Sequence, residues 1–274
     1  MILKNGSKGE DVKKLQSKLG LGADGVFGPG TETAVKKWQS ENGLNADGIV
    51  GEGTWNKMFD SKQLITEPLV VSSGGGFKLE NLKGHIPDVV IAQIPDTAKK
   101  FNITTPLRLA HFLSQCSHES GGFKSVKENL NYSADGLKKI FPKYFPGNLA
   151  ESYAKNPEKI ASKVYGGRMG NGNESTKEGY KFSGKGYLQT TGKDNYRRLG
   201  EFLGVDLIEN PDLVATKYPL ASAAFFFNSN KLWSICDKGS TTDVVTQLTK
   251  RINGGTIGID HSLKEFNKFY KLLS

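Results

Sequence analysis

The sequence is poor in the features that mark membrane-spanning and exported proteins. Only ten of its 274 residues are prolines and two are cysteines, and no apolar run approaches the roughly eighteen residues that a membrane-spanning helix needs. We therefore expect no stable membrane insertion. The N-terminus, MILKNGSKGEDVKK, turns polar after three positions and lacks the apolar core of a signal peptide, so we expect synthesis in the cytoplasm.

The cysteines and histidines do not form a metal-binding pattern. Cys116 and Cys236 are 120 positions apart, and Cys116 falls on an apolar helical stripe, so we expect two buried free thiols. His118 precedes Glu119, but position 122 is Gly, so the HExxH spacing of a zinc peptidase is absent. We expect no metal and no other cofactor.

The positive charge is confined to one part of the chain. Residues 1–60 hold eight lysines and eight acidic residues, so the net charge of +9 arises entirely from residues 61–274. A basic domain attracts polyanions, which include nucleic acid, anionic lipid and acidic cell wall, although a solubilising surface charge has the same composition. No motif supports nucleic-acid binding, and we expect none.

The first sixty residues contain an internal repeat. The segment ADGVFGPGTETAVKKW, from Ala23, is followed 23 positions later by ADGIVGEGTWNKMF, from Ala46. Each copy has an Asp-Gly turn signal, a Gly-x-Gly loop and a Thr suited to capping the next helix. Apolar stripes with helical spacing precede each copy and stop at Gly20 and Gly43. These features predict three short helices joined by two equivalent turns.

This pattern resembles the peptidoglycan-binding domain found on many wall hydrolases, over nearly all of residues 1–60. The resemblance implies a shallow groove near the two turns that binds peptidoglycan. The candidate wall-binding residues are Asp24, Phe27, Gly28, Thr31, Asp47 and Thr54. The same residue types would also be needed simply to build the turns and caps.

The chain beyond the repeat divides into a linker and a larger domain. Residues 61–77 lose the helical pattern and include SSGGG, so they are predicted to form a flexible linker. Residues 78–274 alternate helical segments with Gly-rich loops and show little strand-like alternation. The predicted fold is mainly α, with a small three-helix wall-binding domain linked to a larger α-helical catalytic domain.

The segment TPLRLAHFLSQCSHESGGF, from Thr105 to Phe123, predicts an amphipathic helix. Its apolar positions follow helical spacing: Leu109, Phe112, Leu113 and Cys116. Pro106 marks the start of this helix and a Gly-Gly pair its end. Glu119 falls near the edge of the apolar face, where partial desolvation favours the neutral carboxylic acid that general acid catalysis requires. A salt-bridged glutamate at a helix end is the structural alternative.

Two further segments carry polar residues suited to a sugar cleft. Glu128, nine positions after Glu119, follows the Gly-Gly turn and is a possible second carboxylate, because glycoside cleavage generally uses two. The segment YKFSGKGYLQTTGKDNY, from Tyr180, is dense in amide, hydroxyl and aromatic side chains. TKRINGGTIG, from Thr249, supplies another polar Gly-rich turn.

Four ordered motifs, AHFLSQCSHESGGF, ENLNYSA, FSGKGYLQTTGKDNY and RINGG, resemble glycoside hydrolase family 19, the chitinases and related phage and bacterial lysozyme-like enzymes. The resemblance covers roughly Leu82 to Tyr270 and implies a lysozyme-like helical domain. It implies that Glu119 is the general acid, Glu128 the general base and Thr191 the residue that positions water. The implied substrate-binding residues are Tyr132, Gln189, Asn195 and Asn253, with Tyr187 as a further cleft candidate.

The sequence also departs from the family pattern. The nine-residue spacing of the two glutamates is shorter than in plant-type members and resembles the phage lysozyme-like branch. Many members carry an Arg soon after the INGG turn, where this chain has Asp260, His261 and Ser262. Lys185 stands where Arg is common. These departures leave the carboxylate pair intact and the outer subsites undefined.

The resemblance implies inverting hydrolysis, and the wall-binding module favours peptidoglycan and muramidase action. The alternatives are a lytic transglycosylase that needs only Glu119, a chitinase, and a non-catalytic wall-binding structural protein. The combination resembles a monomeric phage endolysin, made in the host cytoplasm, released by a holin and acting on the cell wall.

Overall fold

A computed structural model describes residues 2–42, 44–59 and 77–274 of the chain. The described residues divide into two compact units, one before and one after residues 60–76. Both units are helical, and β-pairing among the described residues is limited to isolated bridges. The predicted mainly α fold, with a small three-helix domain before a larger helical domain, is therefore confirmed.

The N-terminal unit packs three helices around a small apolar core. The helices are α1 (Glu10–Lys18), α2 (Pro29–Glu41) and α3 (Glu52–Phe59). The buried core residues are Leu3, Val12, Leu15, Phe27, Val35, Val50 and Met58. Single antiparallel bridges join Leu3 to Val50 and Lys8 to Val26, so the segments between the helices close over this core.

Two buried glutamines, 23 positions apart, hold the repeated turns. Gln16 donates from Nε2 to Asp24 Oδ1 at 2.7 Å and to Thr31 Oγ1 at 3.2 Å. It also donates to the Val26 carbonyl at 3.0 Å, and its own Oε1 accepts the Gly25 N–H at 2.8 Å. Gln39 repeats these four bonds at 2.9 to 3.3 Å; its partners are Asp47, Thr54, Ile49 and Gly48. The sequence repeat is therefore a repeat of one hydrogen-bonded turn.

The two repeated threonines do not cap the helices as predicted. Helix α2 begins at Pro29 with Gly28 as its N-cap and no side-chain cap bond, so Thr31 lies inside the first turn. Helix α3 begins at Glu52, two positions before Thr54. The capping prediction is wrong because both hydroxyls lie inside the first turn and accept hydrogen bonds from the glutamines. In α2 the first helical position is also a proline, which has no N–H to cap.

The C-terminal unit is built from eleven α-helices and three short 3₁₀ helices among its described residues. The α-helices are α4 (Asp88–Phe101), α5 (Pro106–Glu119), α6 (Ala134–Ile140), α7 (Pro157–Tyr165), α8 (Glu178–Lys181), α9 (Lys193–Leu203), α10 (Leu213–Thr216), α11 (Pro219–Ser229), α12 (Trp233–Cys236), α13 (Thr242–Asn253) and α14 (Ile259–Leu273). The 3₁₀ helices span Leu79–Leu82, Leu149–Ser152 and Glu174–Thr176.

The predicted linker lies outside the described residues except at its last position. Phe77 is 4% exposed and belongs to the main core of the C-terminal unit. The C-terminal unit therefore includes residue 77, one position earlier than the predicted start. A linker over the preceding residues remains a prediction.

Helix α5 is the buried centre of the C-terminal unit. It begins at Pro106, as predicted, and the hydroxyl of its N-cap, Thr105, accepts the Arg108 N–H at 3.2 Å. Every residue from Leu109 to Ser117 is buried, and α14, α11 and α12 pack against it. Both cysteines are buried free thiols, as expected. This packing fixes the end of α5, where the first candidate carboxylate lies.

Two smaller apolar clusters position the loops that follow α5. One contains Leu130, Leu137, Phe145, Ala150, Ile160, Ala161 and Val164, around α6 and α7. The other contains Phe182, Tyr196, Leu199, Leu207 and Val214, around α9. Polar segments flank these clusters at residues 128 and 183–192, which hold four of the predicted site residues: Glu128, Tyr187, Gln189 and Thr191.

Candidate active site

Glu119 is the last residue of α5, and its carboxyl group is only partly accessible. The side chain is 28% exposed, while its Oε1 atom is buried and accepts no hydrogen bond from the described residues. Its neighbour His118 places Nε2 3.9 Å from that oxygen. Among the described residues, no lysine or arginine forms an ion pair with Glu119 or with Glu128. The ionic contact recorded for Glu119 among the described residues is therefore the one to His118, which is a salt bridge only when that histidine is protonated.

Glu128 is held by two hydrogen bonds, one to each carboxylate oxygen. The Gly184 N–H donates to Oε1 at 2.6 Å, and the Tyr165 hydroxyl donates to Oε2 at 2.8 Å. The backbone supports this geometry, since the Glu128 N–H donates to the Gly184 carbonyl at 3.0 Å and Lys127 pairs with Lys185 in an antiparallel bridge. Burial and the nearby charge of Glu128 raise the pKa of Tyr165, which keeps this hydroxyl a donor. The two glutamates thus occupy contrasting surroundings.

The polar loop that follows α8 brings several predicted residues together. Gln189 has a left-handed backbone (φ 52°), and its Nε2 donates to the Gly186 carbonyl at 3.1 Å. Its Oε1 is buried without a hydrogen-bond partner among the described residues and lies beside Gly184, where an added Cβ would be 2.5 Å away. Thr191 Oγ1 donates to the Gln189 carbonyl at 2.9 Å, and Asn195 Nδ2 to the Thr191 carbonyl at 2.7 Å. Gly184 therefore connects this loop to Glu128.

The remaining predicted residues differ in their surroundings. Tyr132 is half-buried and stacks edge-on against Phe141, with ring centroids 5.4 Å apart. Asn253 ends α13 and is exposed, but Nδ2 donates to the Ile257 carbonyl at 3.0 Å and Oδ1 accepts the Gly255 N–H at 3.0 Å. Asn253 thus shapes its own turn.

Tyr187 is a core residue in this structure. It is 2% exposed and packs edge-on against Phe123, with ring centroids 5.2 Å apart. Its position within a polar Gly-rich loop gave no sign that the ring packs in the main apolar core. Tyr187 is therefore not one of the proposed sugar-binding residues.

The wall-binding candidates also serve as structural residues of their module. Phe27 is fully buried and Thr31 is 5% exposed. Asp24 and Asp47 are exposed, but one oxygen of each accepts both a glutamine amide and a backbone N–H two residues further on. Gly28 is the N-cap of α2 and Thr54 is tied to Gln39. Contact of any of these residues with the wall remains a prediction.

Several residues of the site were not predicted. Tyr165 and Gly184 hold Glu128, and His261 hydrogen-bonds His118 beside Glu119. Tyr165 lies 37 positions from Glu128 and has no motif or spacing that points to it. Gly184 belongs to the predicted polar loop, but its contact with Glu128 depends on how two distant segments pair.

Lys185 is buried in this loop, and its charge should affect stability at alkaline pH. It is 6% exposed, and burial lowers its pKa from 10.5 to about 8. Below pH 8 Lys185 is charged in the folded protein, and the buried charge lowers the free energy of unfolding. As the pH rises from about 8 toward 10.5, the pKa of the lysine in the unfolded chain, the folded state loses this charge and the destabilisation disappears. We expect the free energy of unfolding of the wild type to rise, relative to Lys185→Met, between about pH 8 and 10.5. Urea unfolding of both proteins across this range tests it, and parallel pH curves would contradict it.

The described residues contain neither a metal-binding cluster of three or more His, Cys, Asp or Glu nor a helix that could cross a membrane. A cavity of about 430 Å³ opens elsewhere; its lining includes Lys143, Tyr144, Lys163 and Glu174. None of the predicted site residues lines it. The cavity therefore adds nothing to the candidate site.

Comparison with known proteins identifies both parts of the chain. Residues 8–58 match the family described as "Putative peptidoglycan binding domain", and residues 96–251 match glycoside hydrolase family 19, described as "Chitinase class I". These matches define a glycoside hydrolase with an accessory peptidoglycan-binding domain. Because the second match covers more than half of the chain, the protein belongs to glycoside hydrolase family 19.

Individual relatives agree with this assignment. A family 19 domain-containing protein of Haemophilus influenzae is 40% identical over 183 residues, which make up 66% of this chain and 87% of the relative. An acidic 27 kDa endochitinase of Solanum lycopersicum is 35% identical over 121 residues, 44% of this chain and 33% of that protein. The alignment with the crystal structure of Burkholderia AP3 phage endolysin covers 98% of both chains at 16% identity, with a TM-score of only 0.35.

Proposed function

We propose that this protein hydrolyses β-1,4 glycosidic bonds of bacterial peptidoglycan by an inverting, two-glutamate mechanism. The observation that carries the proposal is the contrast between the two carboxyl groups. Glu119 has a buried oxygen without a hydrogen-bond donor, whereas each oxygen of Glu128 accepts a hydrogen bond. Different surroundings are what assign acid and base roles to two carboxyl groups.

In the proposed reaction, Glu119 protonates the glycosidic oxygen as its bond to the anomeric carbon breaks. A water held by Thr191 attacks that carbon from the opposite face and gives a proton to Glu128. Inverting enzymes separate the two carboxyl groups by about 6.5–9.5 Å to leave room for this water. Tyr165 and Gly184 fix the base, and Gln189, Asn195, Tyr132 and Asn253 are the proposed sugar-binding residues.

Peptidoglycan is the favoured substrate because a peptidoglycan-binding domain shares the chain with the family 19 domain. The positive charge lies beyond residue 60, in the part that includes the hydrolase domain, and complements the carboxylates of a peptidoglycan strand. Attachment through one domain raises the local concentration of substrate at the other. We further propose muramidase action, cleavage after N-acetylmuramic acid, by a monomer.

The proposal extends to the biological role of an endolysin. A phage-encoded enzyme of this kind would be made in the host cytoplasm, reach the wall after release by a holin, and lyse the cell. The joined wall-binding and wall-cleaving domains support this role. Chitin is the second candidate substrate, favoured by the similarity to the tomato endochitinase.

Mass spectrometry of the muropeptides released from purified peptidoglycan tests the reaction. Hydrolysis adds one water to each product, and muramidase action leaves N-acetylmuramic acid at the reducing end. Products with a 1,6-anhydro sugar would instead identify a lytic transglycosylase. A parallel digest of chitin oligosaccharides distinguishes the second candidate, and wall binding without products would leave only an adhesive role.

A further inference from the structure

Two histidines beside Glu119 form a direct hydrogen bond that links α5 to α14. The Nδ1 atoms of His118 and His261 are 3.2 Å apart. The His118 ring is also confined by the backbone at the start of α14, because a Cβ added at Gly258 would collide with it. Gly258 has φ 80°, a conformation that favours glycine. The imidazole of His118 is therefore held in a defined orientation next to the carboxyl group.

The hydrogen bond between the two rings can run in either direction. A bond between two Nδ1 atoms requires a hydrogen on only one of them. In the arrangement in which His261 donates, His118 accepts at Nδ1. A neutral His118 then carries its own hydrogen on Nε2.

That tautomer places an N–H group near an oxygen that lacks a donor. His118 Nε2 lies 3.9 Å from Glu119 Oε1, the buried atom without a hydrogen-bond partner among the described residues. Catalytic hydrogen bonds are often long in the free enzyme and shorten when substrate binds. A donor at Oε1 makes that atom the carbonyl oxygen of the protonated acid, so the acidic hydrogen is placed on Oε2.

We propose that His118 and His261 are positioning residues that together hold the proton of the general acid on Glu119 Oε2, and we assign Oε2 as the atom that protonates the glycosidic oxygen. The inference rests on the proposed role of Glu119.

Two variants of nearly equal size test the role of His261. In His261→Asn the amide can still donate to His118 from nearly the same place, whereas His261→Leu cannot. We expect His261→Leu to lower kcat on purified peptidoglycan about tenfold, the effect of one lost hydrogen bond, with KM unchanged. His261→Asn should restore most of this loss. Because His261 is exposed, both variants should unfold at similar temperatures, which thermal unfolding checks.

A second pair tests His118 independently. The amide of His118→Gln can present an N–H near the position of Nε2, whereas His118→Met is of similar length and has no donor. We expect kcat to fall about tenfold in His118→Met, as in His261→Leu, and to be largely retained in His118→Gln. Equal kcat for both members of each pair would overturn the proposal, and so would a change confined to KM. Activity of Glu119→Gln would refute the proposed function itself. An inactive Glu119→Gln together with equal kcat within each pair would refute only the role of the two histidines.

Discussion

Glu119→Gln should lower kcat on peptidoglycan by about 10²–10⁴-fold, the usual contribution of a general acid. The amide preserves the size of the side chain at the end of α5 but has no proton to give to the leaving oxygen. Binding to insoluble cell wall should be unchanged, because the peptidoglycan-binding domain lies in the other unit of the chain. Release of reducing sugar from purified peptidoglycan measures kcat, and a pull-down with intact walls measures binding.

Glu209→Gln is the matched control for this experiment. It makes the same chemical change at an exposed glutamate of the same unit whose side chain takes part in no described hydrogen bond or ion pair. We expect wild-type kcat from this variant. Full activity of Glu119→Gln would refute the assignment of the acid, and a loss shared by both variants would point to an effect of net charge.

Glu128→Gln should cause a loss of kcat of about 10²–10⁴-fold, because the amide cannot accept a proton from the attacking water. The hydrogen-bonding frame should survive, since the amide oxygen still accepts the Gly184 N–H and the amide N–H₂ can donate to the Tyr165 hydroxyl. The loss should therefore appear in kcat and leave KM nearly unchanged.

This second variant also separates hydrolysis from transglycosylation. A lytic transglycosylase needs a single acid and no base to activate water, so it would tolerate Glu128→Gln and release 1,6-anhydro products. The expected result is instead inactivity with a thermal unfolding midpoint close to that of the wild type. A large fall in that midpoint would show that Glu128 contributes to folding through its two hydrogen bonds.

The amphipathic helix that carries the proposed acid is the clearest case of a feature predicted from sequence. The spacing of Leu109, Phe112, Leu113 and Cys116 predicted one buried face, and all four are at most 1% exposed. The helix begins at Pro106 as predicted. Such predictions succeed because apolar periodicity and a helix-starting proline act through the nearest turns of the chain.

The repeated turns of the N-terminal unit show where local signals were insufficient. The repeat predicted three helices and two equivalent turns, which the structure contains. It did not predict that Thr31 bonds Gln16, 15 positions away, instead of capping α2. The sequence around a Thr near the start of a helix is the same whether its hydroxyl caps the helix or bonds a distant side chain. Only the packing of α1 against the turn brings Gln16 within reach of Thr31.

By itself the sequence determined the helical fold class, the two-domain order, the helix that carries Glu119 and the motifs that hold the other candidates. Only the tertiary structure decided what surrounds each carboxyl group. Tyr165 reaches Glu128 across 37 positions, and His261 reaches His118 across 143. Periodicity and turn chemistry act over a few residues. These contacts exist because α14 packs on α5, α7 packs on α8, and the loop at Gly184 pairs with residues 127–128. The environment of a catalytic group is made by that long-range packing.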